Sequence, residues 1–425
     1  MNPETCAQYI SILEEELVPA MGCTEPIAVA YAAALARDAL GCMPEHIEVL
    51  ASANIIKNVK SVIVPNTGSL RGLPAAAAAG IVAGNAGRKL EVLSGVTAEQ
   101  IEQIKSFTQT MDCTVGQSHN EHIFYIEIIL TAKEHGSRSV IAGSHTGVTL
   151  IERDGEVLYK AEPSSSGGEG GTDHSVLTVE GIVEFADSVN IDSIRAVISR
   201  QIEYNTAIAE EGLRGDYGAN IGSILLQSYG SGVHNRAKAM AAAGSDARMN
   251  GCEKPVVINS GSGNQGLTTS LPVIVYAEEL GSDEDTLYRA LAVANLVTIH
   301  LKSGIGPLSA YCGATSAGAG AAAGVTYLYG GRFNAIAHTI VNALAINSGM
   351  ICDGAKASCA AKIASAVESG LLGLQMQMHG SEFYGGEGIV VKGVENTIRN
   401  VSAVARDGMR LTDEKIIELM LNPSV

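Results

Sequence analysis

The spacing of hydrophobic residues changes about two-fifths of the way along this chain. Residues 5–17 carry apolar side chains at helical spacing, and residues 26–40 read as a second helix that opens at a proline. Residues 148–162 form two alternating segments around Asp154-Gly155, which predicts a β-hairpin. The other elements predicted in this part are strands at 46–53, 61–64, 122–132 and 139–142 and helices at 74–84 and 97–108.

Beyond a polar Gly/Ser segment at 162–171, the predicted linker, nearly every periodic stretch is helical. These helices span residues 175–189, 191–211, 217–243, 267–280, 283–300, 333–348, 358–370 and 411–421. We therefore predict an α+β fold with an N-terminal α/β part and a larger all-α catalytic domain. The predicted division is 1–44 for the N-terminal helices, 45–172 for the α/β domain and 173–425 for the helical domain. If the N-terminal helices pack on the helical domain, the α/β part is an insertion.

Charge and composition exclude several classes of protein. The formal charge of −17 argues against a nucleic-acid partner and against attraction to an anionic membrane. Residues 303–331 carry no charge, but they are too rich in glycine and alanine for a membrane span. The N-terminus lacks the basic start of a secretory signal. We expect a cytoplasmic protein with reduced cysteines, and the glycine-rich, weakly charged segments suggest a homo-oligomer.

A glycine-rich motif, Gly261-Ser-Gly-Asn-Gln-Gly266, fits the dinucleotide fingerprint G-x-G-x-x-G. That interpretation needs a second strand ending in an acidic residue, and here another helix follows. Pyridoxal phosphate is an alternative, but no lysine is singled out for its Schiff base. What remains is a polar helix N-terminus suited to a carboxylate, with Ser262, Asn264 and Gln265 as binding candidates. A plain capped turn explains the motif equally well.

Three late cysteines, Cys312, Cys352 and Cys359, are candidate metal ligands. A regular helix would separate the last two by about 10 Å, but Cys352-Asp-Gly354 reads as a turn that could bring them together. Thiolates without histidine favour an iron–sulfur cluster or zinc, and three ligands would leave one metal position open. Burial as small apolar side chains is the alternative.

Cys23 stands just before a predicted helix, where the helix dipole is expected to lower its pKa and make it a nucleophile or base. A residue without chemistry in a capping region is the alternative. Polar residues at predicted strand ends are further candidates for substrate binding, together with His300, which is close in sequence to Cys312. The strand-end candidates are Asn54, Lys57, Asn58, Thr67, Gly68, Ser144 and His145.

Several motifs together resemble the L-cysteine desulfidase (CyuA-like) family, which is related to the iron–sulfur L-serine dehydratases through their α-chain domain. The resemblance covers almost the whole chain, and the C-D-G-x-K-x-x-C spacing places the chain nearer the desulfidases. The motifs are MGCTEP (21–26), NIIKNV (54–59), IVPNTG (63–68), GSHTG (143–147), SDARMNG (245–251), SGSGNQG (260–266), HLKSGIGPLSAYCG (300–313) and ICDGAKASC (351–359).

The resemblance implies an oxygen-sensitive [4Fe-4S] cluster with one open iron site, held by Cys312, Cys352 and Cys359, and it implies that Cys23 is the base. The implied reaction is β-elimination of L-cysteine, a small amino-acid substrate, to pyruvate, ammonia and hydrogen sulfide. L-serine dehydratase activity on the same scaffold is one alternative, and a non-enzymatic iron–sulfur sensor is another.

Overall fold

Strands are concentrated in the first part of the chain. The computed structural model describes residues 1–163, 171–306 and 308–421. Up to residue 160 the elements are α1 (Pro3–Glu16), β1 (Pro19–Met21), α2 (Thr24–Leu40), β2 (His46–Ala51), α3 (Ala53–Val59), α4 (Gly72–Ala83), α5 (Ala98–Thr110), β3 (Asp112–Gln117), β4 (Tyr125–Ala132), β5 (His135–Ala142), β6 (Val148–Arg153) and β7 (Glu156–Lys160).

The second part is built of helices with one short strand. Its elements are α6 (Val179–Ser188), α7 (Arg195–Arg214), α8 (Ile221–Tyr229), α9 (Val233–Met249), β8 (Pro255–Val257), α10 (Gly263–Leu280), α11 (Glu284–Ser303), α12 (Gly313–Leu328), α13 (Phe333–Ile346), α14 (Cys359–Met378), α15 (Val394–Ala403) and α16 (Arg410–Leu421). Together the two parts confirm the predicted α+β fold.

Six strands form one mixed sheet in the order β3-β2-β4-β5-β6-β7, in which β2 and β3 are parallel and the other pairs antiparallel. Strands β6 and β7 form the predicted hairpin around Asp154-Gly155, and both turn residues have positive φ, as a two-residue hairpin requires. Helix α2 lies on this sheet. The hydroxyls of Ser137 and Ser139 in β5 donate hydrogen bonds to the carbonyls of Ala36 and Ala32.

The first helix and strand lie against the helical part instead. The Tyr9 hydroxyl of α1 donates to the Val176 carbonyl at 3.1 Å, and its ring packs on Phe185 of α6. Strand β1 pairs with β8, whose chain continues into α10. The two N-terminal helices therefore pack on different parts of the molecule, and the division at residues 44 and 172 stays a prediction.

Helix α12 is buried on all sides between α10, α11 and α14. Glycines allow this approach: a Cβ at Gly318 would lie 2.3 Å from the Ala366 carbonyl oxygen of α14, and one at Gly320 would lie 2.1 Å from the Thr298 hydroxyl of α11. The charge-free stretch of the sequence is thus a core helix. Within the described residues, no helix is long and apolar enough to cross a membrane.

Some predicted elements are wrong. The strand at 61–64 is reduced to a single bridge between Ile63 and Arg71, because the chain turns back through Asn66 and Gly68, both at positive φ. The helix at 217–243 is two helices separated at Gly230, which also has positive φ. Strand β3 and helix α15 were not predicted; the mostly polar sequence of β3 gives little alternation to recognise. Of the predicted linker at 162–171, residues 164–170 lie outside the described residues.

We expect Gly80→Ala to destabilise the protein by about 1–3 kcal/mol, because the new Cβ would be 2.1 Å from the Ala30 carbonyl oxygen where α4 crosses α2. The midpoint of urea unfolding measures this loss. Gly136→Ala in β5 is the matched control, since its Cβ would meet no atom closer than 3.8 Å. Equal midpoints for the two variants would contradict the close approach.

Candidate active site

The three late cysteines come together around one cavity. Cys312 caps α12, Cys359 is the first residue of α14, and Cys352 lies in the loop between α13 and α14. Backbone hydrogen bonds hold two of the segments side by side: the Cys312 N–H donates to the Met350 carbonyl at 2.8 Å, and the Cys352 N–H donates to the Ala310 carbonyl at 2.6 Å. All three cysteines line a cavity of about 110 Å³.

The chemistry of these donors fits an iron–sulfur cluster. A hydrogen bond from Cys312 lowers the pKa of Cys352 to about 6 against the effect of burial, and the nearby Lys57 lowers it further. No histidine is among the described residues that line this cavity. Among the described residues, no three His, Cys, Asp or Glu side chains converge closely enough for one metal ion. Thiolates spread around a cavity suit a cluster, in which each cysteine binds a different iron, better than a single zinc ion.

Cys23 lines the same cavity and is only 2% exposed. The expected lowering of its pKa is wrong. Burial raises the pKa of the Cys23 thiol well above its ordinary value, and the charge of Glu25 raises it further, against a weaker opposing effect of Arg248. The thiol donates a hydrogen bond to Glu25 Oε2 at 3.1 Å. The cost of burying a thiolate beside a carboxylate outweighs the helix dipole here.

Glu25 is a buried carboxylate that the sequence analysis missed. Asn58 donates to its Oε1 at 2.9 Å, and the Thr24 hydroxyl donates to its Oε2 at 3.1 Å. Burial alone would raise its pKa, but His145, the Cys23 hydrogen bond and Arg248 outweigh burial and lower the pKa. The sequence signal that could have identified Glu25 is its position two residues after Cys23, in the first turn of α2.

Two buried cations also line the cavity and were missed. Arg248, in the last turn of α9, is 2% exposed, and its Nε has no hydrogen-bond partner. Lys302, near the end of α11, is 6% exposed. Burial lowers the pKa of Lys302 to about 8, although Cys352, Cys312 and Glu16 favour its charged form. Both residues lie inside motifs that carry the family resemblance, SDARMNG and HLKSGIGPLSAYCG, and that was the signal available in the sequence.

The N-terminus of α10 supplies the polar wall that the glycine-rich motif predicted. Ser262, Asn264 and Gln265 line the cavity, and Asn58 reaches it from α3. Among the described residues that line this cavity, three side-chain amide oxygens are buried without a partner: Asn58 Oδ1, Asn264 Oδ1 and Gln265 Oε1. Unpaired acceptors of this kind are rare in folded proteins and favour a ligand site.

Other predicted binding residues lie outside this cavity. Lys57 is buried in an ion pair with Asp413 of α16 at 2.5 Å. His300 hydrogen bonds to Glu395 at 2.7 Å. The Thr67 hydroxyl donates to the Val64 carbonyl and so closes the turn that contains Gly68. Asn54, in α3, also does not line the cavity, although its Oδ1 is buried without a partner.

Ser144 and His145 line a second cavity, of about 440 Å³, between α1, the turn at Ala86–Glu91 and the loop after β5. His145 nevertheless lies close enough to Glu25 for its charge to act on that carboxylate. Its ring packs against Phe124, with 4.7 Å between the ring centroids. His145 lines the second cavity and Glu25 lines the first, so a charge on one cavity acts on a group in the other.

Known proteins match this chain over nearly its whole length. Residues 87–418 match the model of the serine dehydratase alpha chain family. A UPF0597 protein of Desulfitobacterium hafniense is 54% identical over 97% of this chain and 96% of its own length. The UPF0597 protein of Lachnoclostridium phytofermentans is 51% identical over 98% of this chain and 99% of its own length. The family match spans more than half of the sequence, so the chain belongs to the serine dehydratase alpha chain family.

Proposed function

We propose that this protein is an L-cysteine desulfidase, a lyase that eliminates sulfide from L-cysteine and forms pyruvate and ammonia. One observation carries the proposal: Cys312, Cys352 and Cys359 line one cavity together with Cys23. Membership of the serine dehydratase alpha chain family supports a serine-dehydratase-like lyase with a small amino-acid substrate. The same membership makes L-serine the second candidate substrate.

The cluster would be held by Cys312, Cys352 and Cys359, and when bound it supplies a Lewis-acidic iron that the protein leaves open for substrate. Lys302, whose charge acts on Cys312 and Cys352, offsets the negative charge of these thiolates in the buried site. The charged side chains that line the cavity, Glu25, Arg248 and Lys302, are buried, which strengthens the charge interactions among them.

Cys23 acts as the base in the proposed reaction. Its thiolate removes the proton from the substrate Cα, the Cβ–S bond breaks, and the sulfur departs with the bonding electrons as sulfide. The aminoacrylate product then tautomerises and is hydrolysed to pyruvate and ammonia. Glu25 orients the Cys23 sulfur through the hydrogen bond of 3.1 Å, and Asn58 and Thr24 hold Glu25 in place.

We expect anaerobically purified protein to contain iron and acid-labile sulfide and to absorb visible light. Replacing Cys312, Cys352 or Cys359 by alanine removes a ligand, so each variant should lose iron and colour. Cys42→Ala is the matched control, because Cys42 is exposed and lies outside the cavity. A colourless, zinc-loaded wild type with full activity in air would contradict the cluster, and an iron–sulfur protein without turnover would support the sensor hypothesis.

Anaerobic steady-state assays should give a higher kcat/KM for pyruvate formation from L-cysteine than from L-serine. Release of hydrogen sulfide in equal amount to pyruvate identifies the elimination, and boiled protein controls for spontaneous loss of sulfide. If L-serine is the better substrate, the protein is an L-serine dehydratase on the same scaffold.

The activity should rise with pH on the alkaline side of neutrality. Only the Cys23 thiolate can accept a proton, and its raised pKa keeps the thiol protonated at lower pH. In Glu25→Gln the negative charge that raises this pKa is gone, so the rising limb of the kcat/KM profile should move to lower pH. Cys23→Ala, measured with its cluster intact, should lose activity about 100-fold to 10,000-fold. An unchanged profile in Glu25→Gln would show that Cys23 is not the titrating base.

A further inference from the structure

Arg248 is a buried cation to which the proposed elimination assigns no task. It is 2% exposed and lines the cavity beside Cys23 and Cys312. Its guanidinium forms no hydrogen bond or ion pair with another residue in 1–163, 171–306 or 308–421, and its Nε is buried without a partner. An unpaired guanidinium is costly to bury, so a site that retains one is expected to pair it with a ligand.

The surroundings fix the direction of this side chain. Arg248 lies against the backbone of Gly263, where a Cβ would come within 2.3 Å of Nε and 2.7 Å of Cζ. Any larger residue at position 263 would displace the guanidinium. The planar group is therefore held against the N-terminus of α10, whose exposed N–H groups also favour an anion.

The buried carboxylate of Glu25 does not satisfy the hydrogen-bond donors of Arg248. The charge of Glu25 interacts with that of Arg248, but the Glu25 oxygens accept their hydrogen bonds from Asn58, Thr24 and Cys23. Glu25 therefore balances the charge of Arg248 without occupying its donors. The donors remain available for a second anion that enters the cavity.

The same cavity offers acceptors for a positive group. Asn58 Oδ1, Asn264 Oδ1 and Gln265 Oε1 are buried and unpaired. A guanidinium fork and a set of unpaired amide oxygens are complementary to the two charged groups of a free α-amino acid.

We propose that Arg248 binds the α-carboxylate of the substrate through its guanidinium and that the unpaired oxygens of Asn58, Asn264 and Gln265 accept hydrogen bonds from the α-ammonium group. The site then selects free α-amino acids over amides, esters and peptides. The inference rests on the proposed function, which supplies the reaction that the bound amino acid undergoes. Binding itself can be measured without turnover.

L-Alanine is a suitable probe because it carries both charged groups and no leaving group at Cβ. Isothermal titration calorimetry under anaerobic conditions should show binding of L-alanine to wild-type protein and much weaker binding of L-alaninamide. Arg248→Met should weaken L-alanine binding about 10-fold to 100-fold, the loss expected for charge-assisted hydrogen bonds. Arg248→Lys should recover part of that loss, since it keeps the charge without the fork.

Arg236→Met is the matched control. Arg236 lies on the same helix, α9, outside the cavity, and it pairs with Glu279 at 2.7 Å. This variant should bind L-alanine as the wild type does. Iron content and the urea midpoint show whether Arg248→Met is folded and loaded; if it is not, the comparison of L-alanine with L-alaninamide on wild-type protein decides.

Three results would overturn the inference: undiminished L-alanine binding by a folded Arg248→Met, equal affinity of the wild type for L-alanine and L-alaninamide, or no binding of L-alanine at all. The outcome is separable from that of the proposed function. Arg248-dependent binding without pyruvate formation from L-cysteine or L-serine would defeat the proposed function and leave the carboxylate site intact. Turnover with an unchanged KM in Arg248→Met would support the proposed function and defeat the carboxylate site.

Discussion

Close packing of helix backbones is the constraint on which the rest of this structure depends. Helix α12 carries Cys312 at its N-terminus and touches α11 and α14 through glycines where a Cβ would collide with the neighbouring helix. Helix α14 begins at Cys359, so the contact that buries α12 also determines where two of the three candidate ligands lie. A protein with few aromatic residues gains its core from many short contacts, and such contacts leave little room for movement.

Burial of charge is the second feature that shapes the site. Glu25, Arg248 and Lys302 line one small cavity together with Cys23 and the three candidate ligands, and these three charged side chains are each less than one-tenth exposed. Charges in such a place affect one another strongly because water does not screen them. This explains why the Cys23 thiol holds its proton beside Glu25, and why the helix N-terminus alone was a poor guide to its pKa.

The predicted architecture was largely right where the periodicity was strong and the segment long. Helices α10, α11, α13 and α14 and the hairpin of β6 and β7 were recognisable from the spacing of apolar residues and the Asp154-Gly155 turn. Strand β3 was missed because its residues are mostly polar and it pairs only at a sheet edge. The strand predicted at 61–64 is reduced to a single bridge because a turn with positive φ follows it, and the spacing of apolar residues does not indicate the sign of φ.

The sequence by itself determined the α+β class, the cysteine set and the polar N-terminus of α10, because these depend on local pattern and residue type. Only the tertiary structure decided which side chains share the cavity. Lys57 and His300 look like site residues in sequence but pair with Asp413 and Glu395. The burial of Arg248 and Glu25 is not visible in the sequence: packing removes water from both, leaves Glu25 hydrogen-bonded and leaves Arg248 unpaired. Desolvation and pairing arise from contacts between distant parts of the chain, and no local pattern records them.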